Sequence, residues 1–423
     1  MIRLRFLFSL AVLAGIWWLA GRPGADALAW LVEGGGAGGP PKAEAASGRP
    51  VVVLSPGAGW WQADTGQVDP GEQYAGLVEK DVALDVAQQT QQILARCPLD
   101  VRLTRTGDDS EHVLADVHDL VNADHPALAI AVHTAPPGTA SGALAYYTVG
   151  GADDSGSQRL SVELTDALAA RLPLPNLGDW AETDTTNHGL YIHPWQAPAA
   201  LVDLGSLSAD EAALRSRRRD FARALAAGVV SYFSLPAVCA DGLQMSNPAS
   251  LVAVSFPNQA LSQDLSLEND GLTDWDPSSY ALVSAGDAYG ALATYRLPAR
   301  VAPGQTATWA LPARSPLSPG VYRQRWQLTN GGAPVGPVVS VYIVVVPPQA
   351  QSLKDKLNQQ VAEWQAAGAA RMDDLIQQMQ AEIRDWAVQQ AQKQAAQCLG
   401  VNGVLLVGAV LLAAKKKRLE PRP

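Results

Sequence analysis

Short apolar runs alternate with longer amphipathic stretches between residues 51 and 233, and this alternation limits the folds open to the chain. Runs typical of buried strands are Val51–Leu54, Val101–Leu103, Ala127–Val132 and Ala199–Val202. Stretches with helical spacing of their apolar residues are Glu79–Arg96, Ser157–Arg171 and Ala209–Phe233. Strands that alternate with helices form a sheet with helices on both faces. The sequence therefore predicts an α/β domain, which we assign to residues 51–240.

The sequence pattern changes after residue 240. Residues 241–348 are rich in Pro, Gly and short alternating runs, of which Ala307–Leu311, Gln324–Leu328 and Val338–Val346 are typical. Such runs, with little helical periodicity, are typical of a β-sandwich of about 100 residues. We therefore expect an all-β, Ig-like sandwich as the second domain of a multidomain chain.

A third pattern follows the predicted sandwich. Apolar residues from Leu353 to Trp386 recur in steps of four, four and three, which keeps one apolar stripe along a long helix. We expect this amphipathic helix over residues 349–398. The stripe could be a seam for self-association, pack on another domain or lie on a membrane, and a stalk-like coiled coil is the preferred interpretation.

Both ends of the chain carry apolar segments beside basic residues. Arg3 and Arg5 precede an apolar run within residues 1–32, which fits a signal peptide or signal anchor. A Gly/Pro linker follows over residues 33–50. Residues 399–414 are mostly apolar and residues 415–423 form a basic tail, so we expect a C-terminal transmembrane helix with a cytoplasmic tail. These segments predict an exported, membrane-anchored protein of the cell envelope.

Charge and cysteine content narrow the classes of function. The net charge is −10 and no basic stripe is interleaved with aromatic residues, so no nucleic-acid partner is expected. Three cysteines are too few for a disulfide framework or a cysteine-rich zinc site. Cys97 and Cys239 could pair outside the cytoplasm or stay as buried free thiols. Cys398 stands alone beside the C-terminal apolar segment.

Four short segments of the α/β region stand in the order and spacing of one enzyme site. They are residues 54–59 (Leu-Ser-Pro-Gly-Ala-Gly), 78–81 (Val-Glu-Lys-Asp), 131–134 (Ala-Val-His-Thr) and 198–205 (Pro-Ala-Ala-Leu-Val-Asp-Leu-Gly). These segments resemble those of the zinc-dependent N-acetylmuramoyl-L-alanine amidases, which cut the stem peptide from the glycan of bacterial cell wall. That family reads Pro-Gly-His-Gly where this chain has Ala58, and Val-Glu-Leu-Gly where it has Asp203. The resemblance implies the amidase fold.

The same resemblance implies roles for the site residues. Family members bind zinc through His, Glu and His, and a further Glu is the base that moves protons to and from the metal-bound water. Glu79 and His133 stand at two ligand positions and Asp203 at the catalytic glutamate, whereas Ala58 replaces the first histidine. Two ligands are too few for a catalytic zinc ion, and the shorter Asp203 withdraws its carboxylate by about one methylene. A displacement of about 1 Å can cost ~100-fold in rate.

Other residues could replace the lost ligand. His193, five residues before Pro198, is the first candidate for a substitute third zinc ligand. His188, Asp64 and Glu72 are further candidates. Each of these residues also suits an ordinary structural role, as does each residue of the inherited set.

The sequence leaves three functions open. The preferred one is a pseudoamidase that binds peptidoglycan or a protein partner without cutting. The second is an active zinc amidase that hydrolyses the amide bond between MurNAc and L-Ala, with His193 as ligand and Asp203 as base. The third is a surface scaffold that self-associates through residues 350–398.

The second domain carries a resemblance of its own. Trp275 and Trp326 match two tryptophans of the Ig-like "four-tryptophan" domain, while Leu265 and Ser340 stand where two others would be. In that family the module binds proteins or spaces other domains, so the resemblance implies either a protein partner or a spacer role. Packing in the core is the preferred role for both tryptophans.

Overall fold

The computed structural model describes residues 48–236, 239–246, 251–367 and 372–417, without the side chains of residue 187 and residues 395–417. The predicted leader of residues 1–32 therefore lies outside the described residues, together with most of the linker of residues 33–50. The end of the predicted basic tail, residues 418–423, also lies outside them.

The first domain alternates strands with helices along the chain. Its strands are β1 (Val51–Pro56), β2 (Trp61–Gln62), β3 (Gln67–Val68), β4 (Gln73–Tyr74), β5 (Leu77–Val78), β6 (Asp100–Leu103), β7 (Leu128–Ala135), β8 (Ala143–Thr148), β9 (Asn176–Glu182) and β10 (Ala199–Ser206). Its helices are α1 (Glu79–Leu94), α2 (Leu114–Ala123), α3 (Asp154–Arg171), α4 (Asn187–Ile192), α5 (Glu211–Ser216) and α6 (Arg218–Tyr232).

Six of these strands form one sheet in the order β6-β1-β7-β10-β8-β9. The first four are parallel, β8 runs antiparallel to β10, and β9 is parallel to β8. Parallel neighbours end at the same edge of the sheet. The carboxyl ends of β1, β7 and β10, which carry three of the four motifs, are therefore adjacent.

Helices cover both faces of this sheet, because successive side chains of a strand point to opposite faces. Val52 and Leu54 of β1 pack in the larger core, against helices α1, α3 and α6, while Val53 packs in a second core with Val121 of α2. The prediction of an α/β fold is confirmed for this domain.

Two details of the domain differ from the sequence-based expectation. The helix expected over Ala209–Phe233 is two helices, α5 and α6, because Arg217 has φ −123° and ψ 27° and interrupts the helical backbone. The strands β8 and β9 extend the sheet beyond β10, where no strand was expected.

The second region is a sandwich of two sheets, as predicted. Its strands are β11 (Leu243–Met245), β12 (Val252–Ser255), β13 (Ala260–Asn269), β14 (Tyr280–Ser284), β15 (Thr294–Arg296), β16 (Thr306–Arg314), β17 (Gly320–Asn330) and β18 (Ala333–Val345). One sheet has the order β11-β13-β16 and the other β12-β18-β17-β14-β15. Trp275, Trp309 and Trp326 lie in the core between them.

Residues 349–398 do not form the single long helix that the 11-residue period predicted. Two helices occupy this region, α7 (Gln351–Ala366) and α8 (Met372–Lys417). Residues 368–371, between them, lie outside the described part. The stripe residues Leu357 and Met379 are fully buried, and they pack with Val344 of β18. The preferred stalk-like coiled coil is therefore wrong. The outer face of the five-stranded sheet is itself apolar, and the helices of the same chain cover it.

The α/β domain and the sandwich meet through arginine side chains. Arg219 donates two hydrogen bonds to Asp270 in a bidentate pair, and the buried Arg223 bonds both Asp270 and Glu268. Arg96 donates to the carbonyl oxygens of Asp241 and Asp270. Charge-assisted bonds of this kind hold the two domains in one arrangement.

No helix within the described residues is both long and apolar enough to span a membrane. The segment predicted to do so, residues 399–414, continues the backbone of α8, but its side chains lie outside the described part. The transmembrane segment therefore stays a prediction.

Candidate functional site

The four motifs meet where β1, β7 and β10 end. The strand β1 leads into Gly57 and Ala58, β7 carries His133, and β10 carries Asp203 directly beside His133 in the sheet register. Glu79 is the first residue of helix α1, and its carboxylate reaches His133 at the same place. The fold thus brings together the side chains that the sequence places far apart.

Glu79 and His133 form a buried ion pair. Nδ1 of His133 lies 2.9 Å from Oε1 of Glu79. Burial alone would raise the pKa of Glu79, but the hydrogen bond and the charge of His133 outweigh it and lower the pKa. Burial likewise opposes the charge on His133, but the hydrogen bond and charge of Glu79 raise its pKa. Each partner therefore stabilises the charged form of the other.

Backbone N–H groups donate the other hydrogen bonds to the Glu79 carboxylate. The N–H of Glu72 donates to Oε2 at 3.0 Å, and the N–H of Thr134 donates to Oε1 at 3.4 Å. A side chain at Gly71 would come within 2.6 Å of Oε2, so glycine lets the loop close over this carboxylate. Glu79 is held in place by groups that are already part of the fold.

Ala58 presents only a methyl group to the site. Its backbone has φ 53°, a left-handed conformation that is uncommon for alanine and several-fold commoner for histidine. The residue is buried, and its Cβ lies on the same side of the loop as Glu79, since a Cβ at Gly71 would meet both. The backbone therefore keeps a conformation that suits a histidine, while the side chain supplies no metal donor.

Asp203 is a buried carboxyl group that is a weaker acid than an ordinary aspartate. Burial raises its pKa to about 6, against the opposing charges of His133 and His188. The hydroxyl of Tyr146 is hydrogen-bonded to it, and burial and the Asp203 charge raise the pKa of that hydroxyl. Asp203 therefore takes up a proton at a higher pH than an ordinary aspartate does.

The predicted substitute ligands lie in different places. His193 follows the end of α4, and its Nε2 lies 3.9 Å from where a Cβ on Gly150 would stand, in the loop after β8. His188 stacks on the ring of Tyr146 with centroids 3.8 Å apart. Asp64 is exposed in the β2–β3 turn.

Glu72, the last of the candidate ligands, contributes its N–H to Glu79, and its residue is otherwise exposed. Within the described ranges, no three His, Cys, Asp or Glu side chains are arranged to hold a metal ion. No substitute ligand therefore completes the Glu79–His133 pair in this structure.

Two tyrosines that support the site were not singled out from the sequence. Tyr146 contacts Asp203, and Tyr191 packs edge-on against the His133 ring with centroids 5.0 Å apart. The hydroxyl of Tyr191 lies 3.2 Å from Oγ of Ser55. Tyr146 stands in the alternating run Ala143–Thr148, which could have indicated a strand but not its place beside β10.

Arg105 fixes the first motif against the start of α1. Its guanidinium donates to the carbonyl oxygens of Gly57 at 2.9 Å and Lys80 at 2.8 Å. The ring of His133 packs so closely on Gly57 that any Cβ there would lie 2.6 Å from it. Gly57 is thus the residue that allows loop and histidine to approach.

The donor set does not fit a catalytic zinc ion. Such an ion needs about three protein ligands and one open position. The site offers Glu79 and His133, which are hydrogen-bonded to each other, and a methyl group at Ala58. Nε2 of His133 is buried without a hydrogen-bond partner, but among the described residues no third His, Cys, Asp or Glu joins the pair in a metal-binding cluster. The geometry is that of a buried ion pair beside a protonatable carboxyl group.

Comparison with known proteins places this site within an amidase-like domain. Residues 52–231 match the model of the N-acetylmuramoyl-L-alanine amidase family, and residues 253–345 match the model of the Ig-like domain from next to BRCA1 gene. The chain is therefore an amidase-like α/β domain followed by a β-rich region. Comparison with curated proteins gave no match.

Among solved structures, similar chains are N-acetylmuramoyl-L-alanine amidases. The catalytic domain of CwlV from Bacillus (Paenibacillus) polymyxa var. colistinus is 23% identical, with a TM-score of 0.37, and the match covers 44% of this chain and 99% of that one. AmiC2 of Nostoc punctiforme is 21% identical, with a TM-score of 0.38 and coverage of 44% and 99%. The amidase from Clostridium difficile 630 is 22% identical, with a TM-score of 0.39 and coverage of 44% and 98%.

Proposed function

We propose that this chain is an exported, membrane-tethered protein of the cell envelope whose amidase-like domain binds peptidoglycan without hydrolysing it. The observation that carries the proposal is Ala58, which offers a methyl group where the amidases that the motifs resemble have a zinc-binding histidine. A metal ion in such enzymes lowers the pKa of a bound water and so creates the nucleophile. A chain that cannot hold the ion has no such nucleophile.

The rest of the site supports binding rather than chemistry. The Glu79 carboxylate is occupied by His133 and by two backbone N–H groups. Asp203 has a pKa raised to about 6 by burial, and its hydrogen-bond partner is Tyr146. Without a metal-bound water, Asp203 has no nucleophile to activate in a family-type reaction.

The alternatives from the sequence gain less support. An active amidase that uses His193 needs that side chain beside Glu79 and His133, whereas its Nε2 lies near Gly150. A scaffold that assembles through residues 350–398 needs the stripe exposed, whereas Leu357 is fully buried against the sandwich.

The test compares the full chain with its Ala58→His variant on insoluble peptidoglycan. Both proteins are expected to sediment with the polymer, because they share the fold and the residues around position 58. The full chain is expected to release no stem peptide with zinc present. Release of stem peptide by the unaltered chain would refute the loss of catalysis, and failure to sediment would refute the binding role. Ala58→His combined with His133→Ala serves as the matched control, since it restores one ligand and removes another.

A further inference from the structure

Two cysteines far apart in sequence lie together in the core of the α/β domain. Cys97 follows the end of α1, with its N–H donating to the carbonyl oxygen of Leu94 at 2.8 Å. Cys239 follows the last helix of the domain. Both side chains are buried in the same cluster, at 2% and 0% exposure.

The Cys97 side chain contacts Cys239. Sγ of Cys97 lies 4.0 Å from the carbonyl oxygen of Cys239, and the Cys239 thiol helps to raise the pKa of the Cys97 thiol. Both thiols are free in this structure. Rotation of the two side chains decides whether their sulfurs reach the bonding geometry of a disulfide.

The pair sits at the junction of the two domains. Arg96, next to Cys97, donates to the carbonyl oxygens of Asp241 and Asp270, so it bridges the end of α1 to the start of the sandwich. Just after Cys239, the carbonyl oxygen of Ala240 accepts a 2.6 Å hydrogen bond from the N–H of Leu272. A covalent link at this point would fasten α1, which begins with Glu79, to the segment that enters the sandwich.

We propose that Cys97 and Cys239 form a disulfide when the chain folds in an oxidising compartment, and that this bond locks the junction between the α/β domain and the sandwich. The two thiols together lose two electrons and two protons to a disulfide donor, which is reduced to two thiols. The new bond joins the Sγ atoms of the two residues. Burial raises the pKa of the Cys97 thiol and keeps it inert once the core has closed, so exchange belongs to the folding stage.

The test refolds the full chain in a glutathione redox buffer and counts thiols in denaturant. The chain has three cysteines, so one free thiol, Cys398, is expected after oxidation and three after reduction. Peptide mapping without reductant is expected to yield a single linked peptide pair that contains Cys97 and Cys239. Three free thiols after oxidation, or a link that involves Cys398, would overturn the proposal.

Stability supplies a second measurement that does not depend on any variant. The oxidised chain is expected to unfold about 5–15 °C above the reduced chain, because the bond closes a long loop in the unfolded state. Cys398→Ser should keep this difference, and Cys97→Ser should abolish it if that variant folds. Equal unfolding temperatures for the oxidised and reduced unaltered chain would contradict a locking role.

Discussion

Replacing Asp203 by asparagine is expected to stabilise the α/β domain at neutral pH. Asp203 is 5% exposed, and burial raises its pKa to about 6 from an ordinary value of 3.8. Between about pH 4 and pH 6 the folded state therefore keeps a proton on Asp203 that the unfolded state has already released. Above about pH 6 the folded state must instead bury the charged carboxylate. Asparagine keeps an oxygen that can accept the Tyr146 hydrogen bond and carries no charge to bury.

The magnitude follows from the two pKa values. A difference between 3.8 and about 6 corresponds to about 3 kcal/mol. A carboxyl group with a raised folded-state pKa stabilises the fold below its unfolded pKa, and this contribution is lost as the pH rises from about 4 to about 6. The stabilisation by Asp203→Asn should therefore be small at pH 4 and larger by about 2–3 kcal/mol at pH 7.5.

The assay is urea unfolding of the full chain and the variant, followed by circular dichroism at both pH values. Asp184→Asn is the matched control, since Asp184 is exposed and removing its charge should leave stability within about 0.5 kcal/mol at either pH. If Asp203→Asn changes the free energy of unfolding equally at pH 4 and pH 7.5, the burial argument for this carboxyl group is wrong.

Three further changes test other parts of the structure by urea unfolding. Ala58→Gly should stabilise the chain by about 0.5–1 kcal/mol, because glycine adopts a φ of 53° without the steric cost that alanine bears; a destabilised variant would count against strain at this position. Arg223→Met should lower the free energy of unfolding by about 3 kcal/mol, because it removes a buried cation that is paired with three carboxylates. Arg215→Met removes an exposed ion pair and should lower it by less than about 1 kcal/mol. Equal losses for the two variants would contradict the role given to the junction. Leu357→Ala should cost about 2–5 kcal/mol and speed proteolysis of α7, and an unchanged stability would show that the stripe is not buried.

The sequence predicted the part of the site that depends on parallel strands. His133 and Asp203 follow apolar runs that read as buried strands, and neighbouring parallel strands end at one edge of a sheet. The place of Glu79 at the start of a helix followed from the amphipathic stretch that it opens. The resemblance to the amidase motifs implied that the three side chains share one site, and the strand pattern explains why His133 and Asp203 meet there.

The positions of the flanking groups could not be predicted in the same way. His193 is directed by the short helix α4, which starts after a Thr186 cap and not after a strong apolar pattern. The strand β9 is largely exposed, so it lacks the apolar alternation that identifies a half-buried strand.

The fate of the apolar stripe in residues 349–398 was likewise open. A period of 11 residues shows that one helical face is apolar, but it does not name the surface that covers the face. Tyr342 and Val344 of the sandwich provide that surface. They belong to the region that the sequence assigns to the preceding domain, outside the helical stretch. Long-range packing, which no local pattern records, decided between a coiled coil and an intramolecular layer.

The zinc content of the purified chain shows directly whether a chain with Ala58 can hold the metal ion. The full chain, purified in zinc-containing buffer and then dialysed without chelator, would be analysed by mass spectrometry of the metal, beside Ala58→His. With a methyl group at Ala58 and Glu79 held by His133, we predict well under one equivalent of zinc in the unaltered chain and a gain in the variant. One equivalent of tightly bound zinc in the unaltered chain, lost on mutation of His133, would contradict the account.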